Sequence, residues 1–354
     1  MSNQPPVIEL VERVEEDISK RQLKPGDPYL NTARVASMLR VNTAVANRVM
    51  QALVKRRVIE RKQRTGTFVA RNFGQLESGP IDRLHFLVQQ DYLKTEGLMA
   101  DGVLLGVQGE LPTARLQFDF CSPHTDESLL DRIVQDSLKG AHRDAFVLVR
   151  ASLAAQRILA GSGLPTVVYG SVYPSVEELP SLDRDHTKIG RLCVDHLVAC
   201  GCRSLLVLSR EHVLPGDHPF LRSTREQAGC HKIAVIDELF LPVDTALIIK
   251  SVELCLARRK SGPVGIVARS EPLAMAADLA MRELGRRHGK DYFMVVSDIY
   301  RKSQSQKRNW PYIDTEITPE QIGELLGRML LRRANEPQAP ISHDLLDVKI
   351  TSDE

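Results

Sequence analysis

Apolar positions in the first seventy residues follow helical spacing. Val7, Val11 and Val14 recur at intervals of three or four residues, which is the spacing of an amphipathic helix. Pro6 suits the first turn of this helix, because a proline there removes only an amide that has no partner within the helix. The stretch "LKPGD" (23–27) then predicts a turn that ends the helix.

Two further helices are predicted after this turn. Asn31 can cap a short helix whose apolar stripe includes Val35 and Leu39. Asn42 can cap a third helix, in which valine and leucine repeat every four residues between positions 45 and 53. These apolar stripes predict that the helices share one small core.

The third predicted helix also has a polar face. Thr43, Asn47 and Gln51 repeat every four residues, with Arg48 and Lys55 beside them. Asn and Gln side chains can each form two hydrogen bonds with an adenine edge in the major groove. Two short helices separated by a tight turn, the second carrying such side chains, fit a helix-turn-helix motif. The pattern by itself also fits a solvated polar face without a partner.

The stretch "VIERKQRTGTFVA" (58–70) predicts two strands joined by a tight basic turn. Gly66 can take a positive φ at the corner. Helices followed by such a hairpin make a winged helix, whose tip would lie against phosphates or in the minor groove. The predicted DNA contacts of the whole region are Asn31, Thr32, Asn42, Thr43, Asn47, Arg48, Gln51, Lys55, Arg61, Lys62, Arg64, Thr65 and Gly66.

After a linker rich in Gly, Pro and Ser, short apolar runs alternate with amphipathic helical segments. The predicted strands are 84–88, 116–120, 145–149, 165–170, 204–209, 232–237, 263–268 and 292–297, and the helical stretches include 126–139, 185–200, 244–259 and 272–287. Continuous apolar strands alternating with helices predict parallel sheets covered on both faces. Because eight strands are many for one doubly wound sheet, we expect an α/β fold of two lobes.

The charge distribution separates the two parts of the chain, although the net charge of all 354 residues is only +2. Residues 1–72 carry 14 Lys and Arg against 7 Asp and Glu, a net charge of +7, whereas the remainder is −5. A basic end suggests contact with a polyanion, although a solvated basic surface would look the same. Six cysteines without metal-site spacing and no apolar run of membrane length favour a cytoplasmic protein with reduced thiols.

No catalytic or cofactor motif is visible in the sequence. G-x-S-x-G, the phosphate-binding G-x-x-x-x-G-K-[ST] and H-E-x-x-H are all absent. The glycine run "GVLLGVQG" (102–109) does not fit the dinucleotide fingerprint G-x-G-x-x-G. His186 and His196 read as surface residues rather than ligands. We therefore expect no enzyme activity, no metal and no cofactor.

Four stretches of the N-terminal part carry a family resemblance: "LKPGD", "RVASMLRV", "NRVMQAL" and "RTGTFV". In this order they resemble the DNA-binding domain of the GntR family of bacterial regulators, over residues 7–70. The chain departs from the family where Ala33, Thr43 and Asn47 stand in place of common arginines. The resemblance implies a DNA-binding domain in which Arg48, Lys55 and the wing supply charge that these arginines would have given.

Five stretches of the remainder carry a second resemblance: "GLPTVVYG", "DHTKIGRLCVDHLVACGCRSLLVLS", "GIVARSEPLAMAADLAMRELG", "YFMVVSDIY" and "ITPEQIGELLGRMLLRR". Together they resemble the effector domain of the LacI/GalR family, itself similar to periplasmic sugar-binding proteins. Asp298 falls where that family has a cleft-facing aspartate, and Ser270-Glu271 falls where it commonly has Asn-Asp. The resemblance implies a cleft that binds a small molecule at strand ends, through Gln89, Gln90, Ser152, Arg225, Glu271 and Asp298.

The combined prediction is a winged helix-turn-helix domain (1–72), a linker (73–83) and a two-lobed, periplasmic-binding-protein-like α/β domain (84–354). This arrangement resembles that of arabinose-repressor-like regulators. It implies a transcription regulator, most simply a repressor, with a double-stranded DNA operator, a small-molecule effector and a homodimer as partners. A sugar is one effector class, although an aromatic content of 5% argues mildly against stacking on a ring. Two alternatives stay open: a DNA-binding protein whose cleft only dimerises, and an α/β enzyme or sensor with a basic interaction domain.

Overall fold

The computed structural model describes residues 7–55, 58–62, 66–70, 79–89, 101–121, 127–257, 262–298 and 310–352. The chain divides into two compact units, Met1–Gly79 and Pro80–Glu354. Within the described ranges, no helix has both the length and the apolar character needed to cross a bilayer.

The N-terminal unit is a winged helix, as predicted. Its helices are α1 (Val7–Lys20), α2 (Thr32–Leu39) and α3 (Thr43–Lys55), and its strands are β1 (Pro28–Tyr29), β2 (Ile59–Lys62) and β3 (Gly66–Val69). The strands pair antiparallel in the order β1-β3-β2. Gly66 has a φ of +123°, a conformation that only glycine adopts readily.

Side-chain caps fix where the second and third helices begin. The Asn31 side chain accepts a hydrogen bond from the Arg34 amide at 3.0 Å, and the Asn42 side chain accepts one from the Val45 amide at 2.9 Å. Each bond satisfies an amide that has no partner within its helix. The apolar stripes of the three helices meet in one core, in which Val14, Val49 and Leu53 are fully buried together with the wing residue Val69.

The C-terminal unit consists of two lobes, each built on a six-stranded sheet. The first lobe contains β4 (Arg83–Gln89), β5 (Arg115–Cys121), β6 (Asp144–Val149), β7 (Thr166–Tyr169), β8 (Ser181–Arg184) and β14 (His343–Leu346). The second contains β9 (Ser204–Arg210), β10 (Ala234–Leu241), β11 (Val264–Ala268), β12 (Tyr292–Val296), β13 (Tyr312–Thr315) and β15 (Val348–Thr351). The strand orders are β14-β8-β7-β6-β4-β5 and β10-β9-β11-β12-β13-β15, and the pairings are parallel except between β13 and β15.

Helices cover both faces of each sheet. In the first lobe, α4 (Asp101–Glu110) and α11 (Pro319–Asn335) pack on one face, and α5 (Glu127–Lys139) and α6 (Leu153–Ser162) on the other. In the second lobe, α7 (His186–Ala199) and α8 (Asp217–Cys230) pack on one face, and α9 (Thr245–Leu256) and α10 (Glu271–Glu283) on the other. The central strands are therefore buried on both sides, which explains their continuous apolar sequences.

The chain passes between the lobes at the connections β8 to α7, β13 to α11, and β14 to β15. Each lobe thus contains segments that are distant in sequence. The helix α11 is held in the first lobe by a close contact with α4. A Cβ atom on Gly106 would lie 2.0 Å from the Glu320 carbonyl oxygen, and one on Gly323 would lie 2.0 Å from the Val103 carbonyl oxygen. Gly102 and Gly106 of "GVLLGVQG" therefore allow α4 to pack closely against α11.

The predicted two-lobed α/β architecture is confirmed, with differences at its edges. The strand expected at 232–237 begins at Ala234 and runs to Leu241. Strands β8, β13, β14 and β15 were not predicted, since each has only four residues and charged or polar side chains interrupt its apolar pattern. Helices α4, α6 and α8 were also not predicted, and α8 is the most polar of the three.

Candidate functional site

Five strands of the two lobes end at one polar cleft. Arg150 follows β6, Arg184 ends β8, and Arg210 ends β9, while Arg269 and Asp298 follow β11 and β12. All five side chains line a cavity of about 50 Å³ between the lobes. This position agrees with the rule that ligands of open α/β sheets bind outside the carboxyl ends of the strands.

Asp298 lies at the centre of this cleft and accepts hydrogen bonds from three guanidinium groups. Arg150 Nη2 lies 2.5 Å from Asp298 Oδ2, and Arg184 Nη2 lies 2.5 Å from Asp298 Oδ1. Arg210 Nη2 also donates to Asp298 Oδ2. We call these four residues the Asp298 cluster. Since Arg150 and Arg184 belong to the first lobe and Asp298 to the second, the cluster joins the two lobes.

The Asp298 cluster is almost entirely withdrawn from water. The Asp298 side chain is 1% exposed, and those of Arg150 and Arg184 are 11% and 14% exposed. Burial by itself would raise the pKa of Asp298, but the charges of the neighbouring arginines outweigh it and hold the pKa well below its usual value. Asp298 is therefore a permanent anion at neutral pH, and the cluster is held together by charge-assisted bonds.

A second buried ion pair forms the wall of the cleft in the second lobe. Arg269, 2% exposed, donates from Nε and Nη2 to Asp217 Oδ1 at 2.8 and 2.5 Å. Its guanidinium carbon lies 4.4 Å from the centre of the Phe220 ring, a cation–π contact. Asp217 also accepts a hydrogen bond from the Leu214 amide at 2.8 Å. Burial opposes the ionised form of Asp217, but Arg269, Arg210 and this amide lower its pKa to about 2.

Ser171, Asp183 and His186 form a third polar group beside the cavity. Both Ser171 Oγ and His186 Nε2 lie within hydrogen-bond distance of Asp183 Oδ2, the latter at 3.1 Å. The carboxylate therefore stands between the hydroxyl and the imidazole. A nucleophilic serine needs the imidazole in that middle position, so this group does not have the arrangement of a catalytic triad. His186 is buried, so the expectation that it is a surface residue is wrong, and its Nδ1 has no hydrogen-bond partner among the described residues.

The structure brings some of the predicted effector residues together and places others apart. Asp298 is at the centre of the cleft. Gln89 and Ser152 line a separate, smaller cavity of about 10 Å³ at the strand ends of the first lobe, where Ser152 caps α6. The Arg225 side chain is 56% exposed and its guanidinium binds Glu238. Glu271 lies in the first turn of α10 and does not line the cavity of the Asp298 cluster, and Gln90 lies outside the described residues.

The sequence prediction did not include the four cleft arginines. Each is a single basic residue at or just after the end of an apolar strand, and such residues are also common in ordinary turns. The signal that could have found them is their shared position, since strand ends of parallel sheets meet at one edge. In the structure, Arg150 also has an unusual backbone conformation, with a φ of +50°, which non-glycine residues seldom adopt.

In the N-terminal unit, an arginine of the wing contacts both helices of the helix-turn-helix. Arg61 in β2 donates from Nη1 to Asn47 Oδ1 on α3 at 3.3 Å, and from Nη2 to the Thr32 hydroxyl on α2. Asn47 and Arg61 are exposed, and Thr32 is half-buried. The hydroxyl, the amide and the guanidinium therefore form one polar surface group, which we call the Arg61 triad.

The other predicted DNA contacts are exposed residues, helix caps or residues outside the described region. Thr43, Arg48 and Gln51 are exposed on α3, and Gly66 is exposed at the start of β3. Asn31 and Asn42 use their side-chain oxygens as helix caps. Arg64 and Thr65 lie outside the described residues, as do the side chains of Lys55 and Lys62. The DNA-contacting roles of all these residues stay predictions.

A family comparison identifies the N-terminal unit. Residues 7–69 match the model described as bacterial regulatory proteins, gntR family. These residues contain the three helices and both long strands of the wing. The resemblance found in the sequence is therefore confirmed for this unit. Among curated proteins, no match to the chain was found.

Comparison with solved structures finds proteins of similar fold that cover most of the chain. The transcriptional regulator CelR in complex with cellobiose has a TM-score of 0.62 at 16% identity, covering 91% of this chain and 98% of its own. A LacI family transcriptional regulator from Enterococcus faecium with bound ribose has a TM-score of 0.59 at 14% identity, covering 77% and 97%. The lac repressor dimer bound to operator and the anti-inducer ONPF has a TM-score of 0.62 at 17% identity, covering 78% and 95%. The LacI-like fold is thereby confirmed.

Proposed function

We propose that this protein is a transcriptional regulator, acting most simply as a repressor, whose affinity for operator DNA changes when a small molecule binds between the two lobes. The observation that carries this conclusion is the joining of a GntR-type winged helix to a two-lobed unit whose polar cleft contains the Asp298 cluster. We propose no catalytic role for the cleft.

The exposed face of α3 supports the DNA-binding half of this proposal. Asn47 and Gln51 are one helical turn apart and exposed, as major-groove contacts require. Arg48 beside them and the basic wing offer charge to the phosphates. The chain lacks some arginines common in the family, and the Arg61 triad brings a guanidinium to the helix-turn-helix from the wing instead.

The contacts across the cleft support the effector half. Arg150 and Arg184 bind Asp298 across the boundary between the lobes, so a ligand that enters the Asp298 cluster must change how the lobes are held. Solved neighbours of this fold hold ribose and cellobiose. We therefore propose an effector of the size of a sugar, either a sugar or a related metabolite.

An apolar surface on the second lobe supports a homodimer. Leu247 and Leu254 on α9 and Met275 and Leu279 on α10 are exposed, with Leu254 and Met275 exposed by 65% and 60%. The two helices pack on the same face of the sheet. Exposed apolar side chains grouped in this way mark an association surface. A dimer would present two copies of α3 to half-sites about one helical turn of DNA apart.

Binding to the DNA upstream of the protein's own gene tests the regulator function. Affinity for this DNA and for random DNA would be measured across a salt series, for the wild type and for a variant with Asn47→Ala and Gln51→Ala. We expect selective wild-type binding that weakens steeply with salt. The variant should lose at least about tenfold in affinity for the specific DNA, because each amide–adenine contact is worth about 1–3 kcal/mol.

Ser19→Ala is the matched control, since Ser19 is an exposed residue of α1 whose hydroxyl donates to the Glu15 carbonyl oxygen of the same helix. It should bind like the wild type. If the wild type binds the upstream DNA no better than random DNA, the regulator function is wrong for this DNA. If the Asn47/Gln51 variant keeps full selectivity, α3 is not the reading helix.

A further inference from the structure

We propose that the effector is an anion, a phosphate monoester or a carboxylate of sugar size, and that its anionic group binds the guanidiniums of Arg150, Arg184 and Arg210. This inference rests on the proposed function, because it takes the cleft of the Asp298 cluster as the effector site. It specifies the chemical class of the ligand, which the fold leaves open.

The first observation is that arginines already use most of the hydrogen-bond acceptor positions of Asp298. A carboxylate has about four acceptor positions, and Asp298 accepts hydrogen bonds from three charged donors. A neutral sugar binds such a carboxylate through hydroxyl groups, which are weaker donors than guanidinium groups. To reach Asp298, a neutral sugar would have to displace arginines whose charge it could not replace.

The second observation is the shortage of space. The cavity of about 50 Å³ has room for a few water molecules. A ligand of sugar size therefore requires the cleft to widen, and moving the lobes apart separates the first-lobe arginines from Asp298. Separating buried ions is costly unless another charge takes the place of the lost partner. An anionic ligand provides that charge for the two first-lobe arginines, and Arg210, from the same lobe as Asp298, can stay bonded to Asp298. A neutral ligand provides no charge for the arginines.

The third observation is the charge and shape of the lining. Among the described residues around the cavity, four are arginines and three are aspartates, namely Asp183, Asp217 and Asp298. Arginine forks suit the paired oxygens of phosphate and carboxylate groups. Asp298 itself shows that these guanidiniums can surround one anionic group, with contacts of 2.5 Å from two of them. The ligand's anion would bind them in the same way.

The fourth observation concerns the neutral part of the ligand. His186 lines the cavity, is 9% exposed, and has a buried Nδ1 without a partner among the described residues. Gly216 allows this close packing, because a Cβ atom there would lie 2.4 Å from the imidazole ring. Tyr169 is the only phenol or phenyl ring in the described lining. The lining therefore offers polar contacts rather than a stacking platform.

A thermal-shift experiment on the full-length protein tests the inference with matched pairs of compounds. The pairs are ribose with ribose 5-phosphate, glucose with glucose 6-phosphate, and glucose with gluconate, and inorganic phosphate is added alone. Each is used at about 10 mM and constant ionic strength, which detects Kd values up to about 1 mM. We expect an anionic member to raise Tm by roughly 3 °C or more, and its neutral partner to raise it by much less.

Substitutions of cleft residues test whether the compounds bind in the cleft. Arg184→Gln should abolish the shift, and Arg184→Lys should weaken it, since lysine keeps the charge but loses the fork. Arg143→Gln is the matched control, because Arg143 forms a surface pair with Asp82 in the same lobe. Asp298→Asn separates the two ligand classes. If the ligand is an anion, Asp298 competes with it for the arginines, so Asp298→Asn should preserve or strengthen binding. If the ligand is a neutral sugar that bonds Asp298, the same substitution should abolish binding.

Three results would overturn the inference: a neutral sugar that stabilises as well as its anionic partner, no stabilisation by any anionic compound, or an unchanged shift in Arg184→Gln. Specific DNA binding by the same preparations, measured without added compound, is independent of these results. If DNA binding fails while the anion shift and its Arg184 dependence hold, the regulator function is wrong and the anion site stands. If DNA binding holds while the shift fails, only the anion site is wrong.

Discussion

Arginines have opposite surroundings in the two units of this protein. Arg61, on the surface of the N-terminal unit, binds the neutral side chains of Asn47 and Thr32. Arg269, buried in the second lobe, binds the carboxylate of Asp217 and lies over an aromatic ring. Water solvates the exposed guanidinium, whereas the buried one requires a charged partner to offset its lost hydration. Burial thus decides which arginines must be paired within the chain.

This difference has a consequence for function. A guanidinium bonded only to neutral groups has no carboxylate partner that an external anion, such as a DNA phosphate, would have to displace. The arginines of the Asp298 cluster bind an internal carboxylate, so an external anion must compete with it. We therefore expect substitutions in the cleft to act mainly on stability and ligand binding, and substitutions in the Arg61 triad to act mainly on DNA affinity.

The largest effect is expected from Asp217→Ala, which leaves Arg269 buried without its carboxylate. Breaking a buried ion pair by removing one partner costs about 3–5 kcal/mol in the free energy of unfolding. Denaturant unfolding followed by the fluorescence of Trp310 measures this, because the single tryptophan lies in the core of the second lobe. The N-terminal unit does not contribute to that signal.

Asp195→Ala provides the comparison for this substitution. Asp195 pairs with His231 on the outside of the same lobe and its side chain is 48% exposed. Its replacement should change the free energy of unfolding by less than about 1 kcal/mol. If both variants lose the same free energy of unfolding, burial does not determine how much an ion pair stabilises this lobe.

The second effect is a loss of stability in acid. Because Asp217 has a pKa of about 2 in the fold against a usual 3.8, its stabilising contribution is complete above about pH 4 and is lost as the pH falls towards 2. This difference is worth about 2 kcal/mol, and the lowered pKa of Asp298 acts in the same direction. Trp310 unfolding at a series of pH values measures the slope. Asp217→Asn should make the slope smaller, and an unchanged slope would contradict this assignment.

The contrast between the units also explains what the sequence could predict. The winged helix follows from local signals: Asn31 and Asn42 as caps, apolar residues every four positions in α3, and a glycine with positive φ at the turn. The long central strands, buried on both faces, were predicted for the same reason. Each of these features is determined by residues close together in the chain.

The Asp298 cluster could not be predicted in this way. Its members come from strand ends at 150, 184, 210 and 298, and Arg184 ends a strand whose sequence "SLDR" gives no apolar pattern. Their meeting depends on the packing of the two lobes. Asp298 was found only through the family resemblance, which does not reveal that three arginines surround it. Arg225 followed from the same resemblance, and the structure places it on Glu238 outside the cavity.

The third effect concerns Arg61→Gln, which removes the charge of the triad. Because the side chain is exposed and its partners are neutral, the free energy of unfolding should change by less than about 0.5 kcal/mol. Affinity for the specific DNA should fall by about tenfold at low salt. If Arg61 contacts a phosphate, the slope of log affinity against log salt should decrease by about 1. Arg13→Gln, which removes an equal charge from α1, should leave the specific affinity closer to the wild type.

The smallest effect is expected from Lys349→Ala. Lys349 on β15 binds Glu316 at 3.2 Å, in the same lobe as Asp298, but the two side chains are 49% and 46% exposed. Solvent screens such a pair and holding it ordered costs conformational entropy, so its loss should change the free energy of unfolding by less than about 0.5 kcal/mol. Trp310 fluorescence again provides the measurement. A loss comparable to that of Asp217→Ala would mean that the surface pairs, and not the cleft, stabilise this lobe, and the comparison between exposed and buried arginines would then fail.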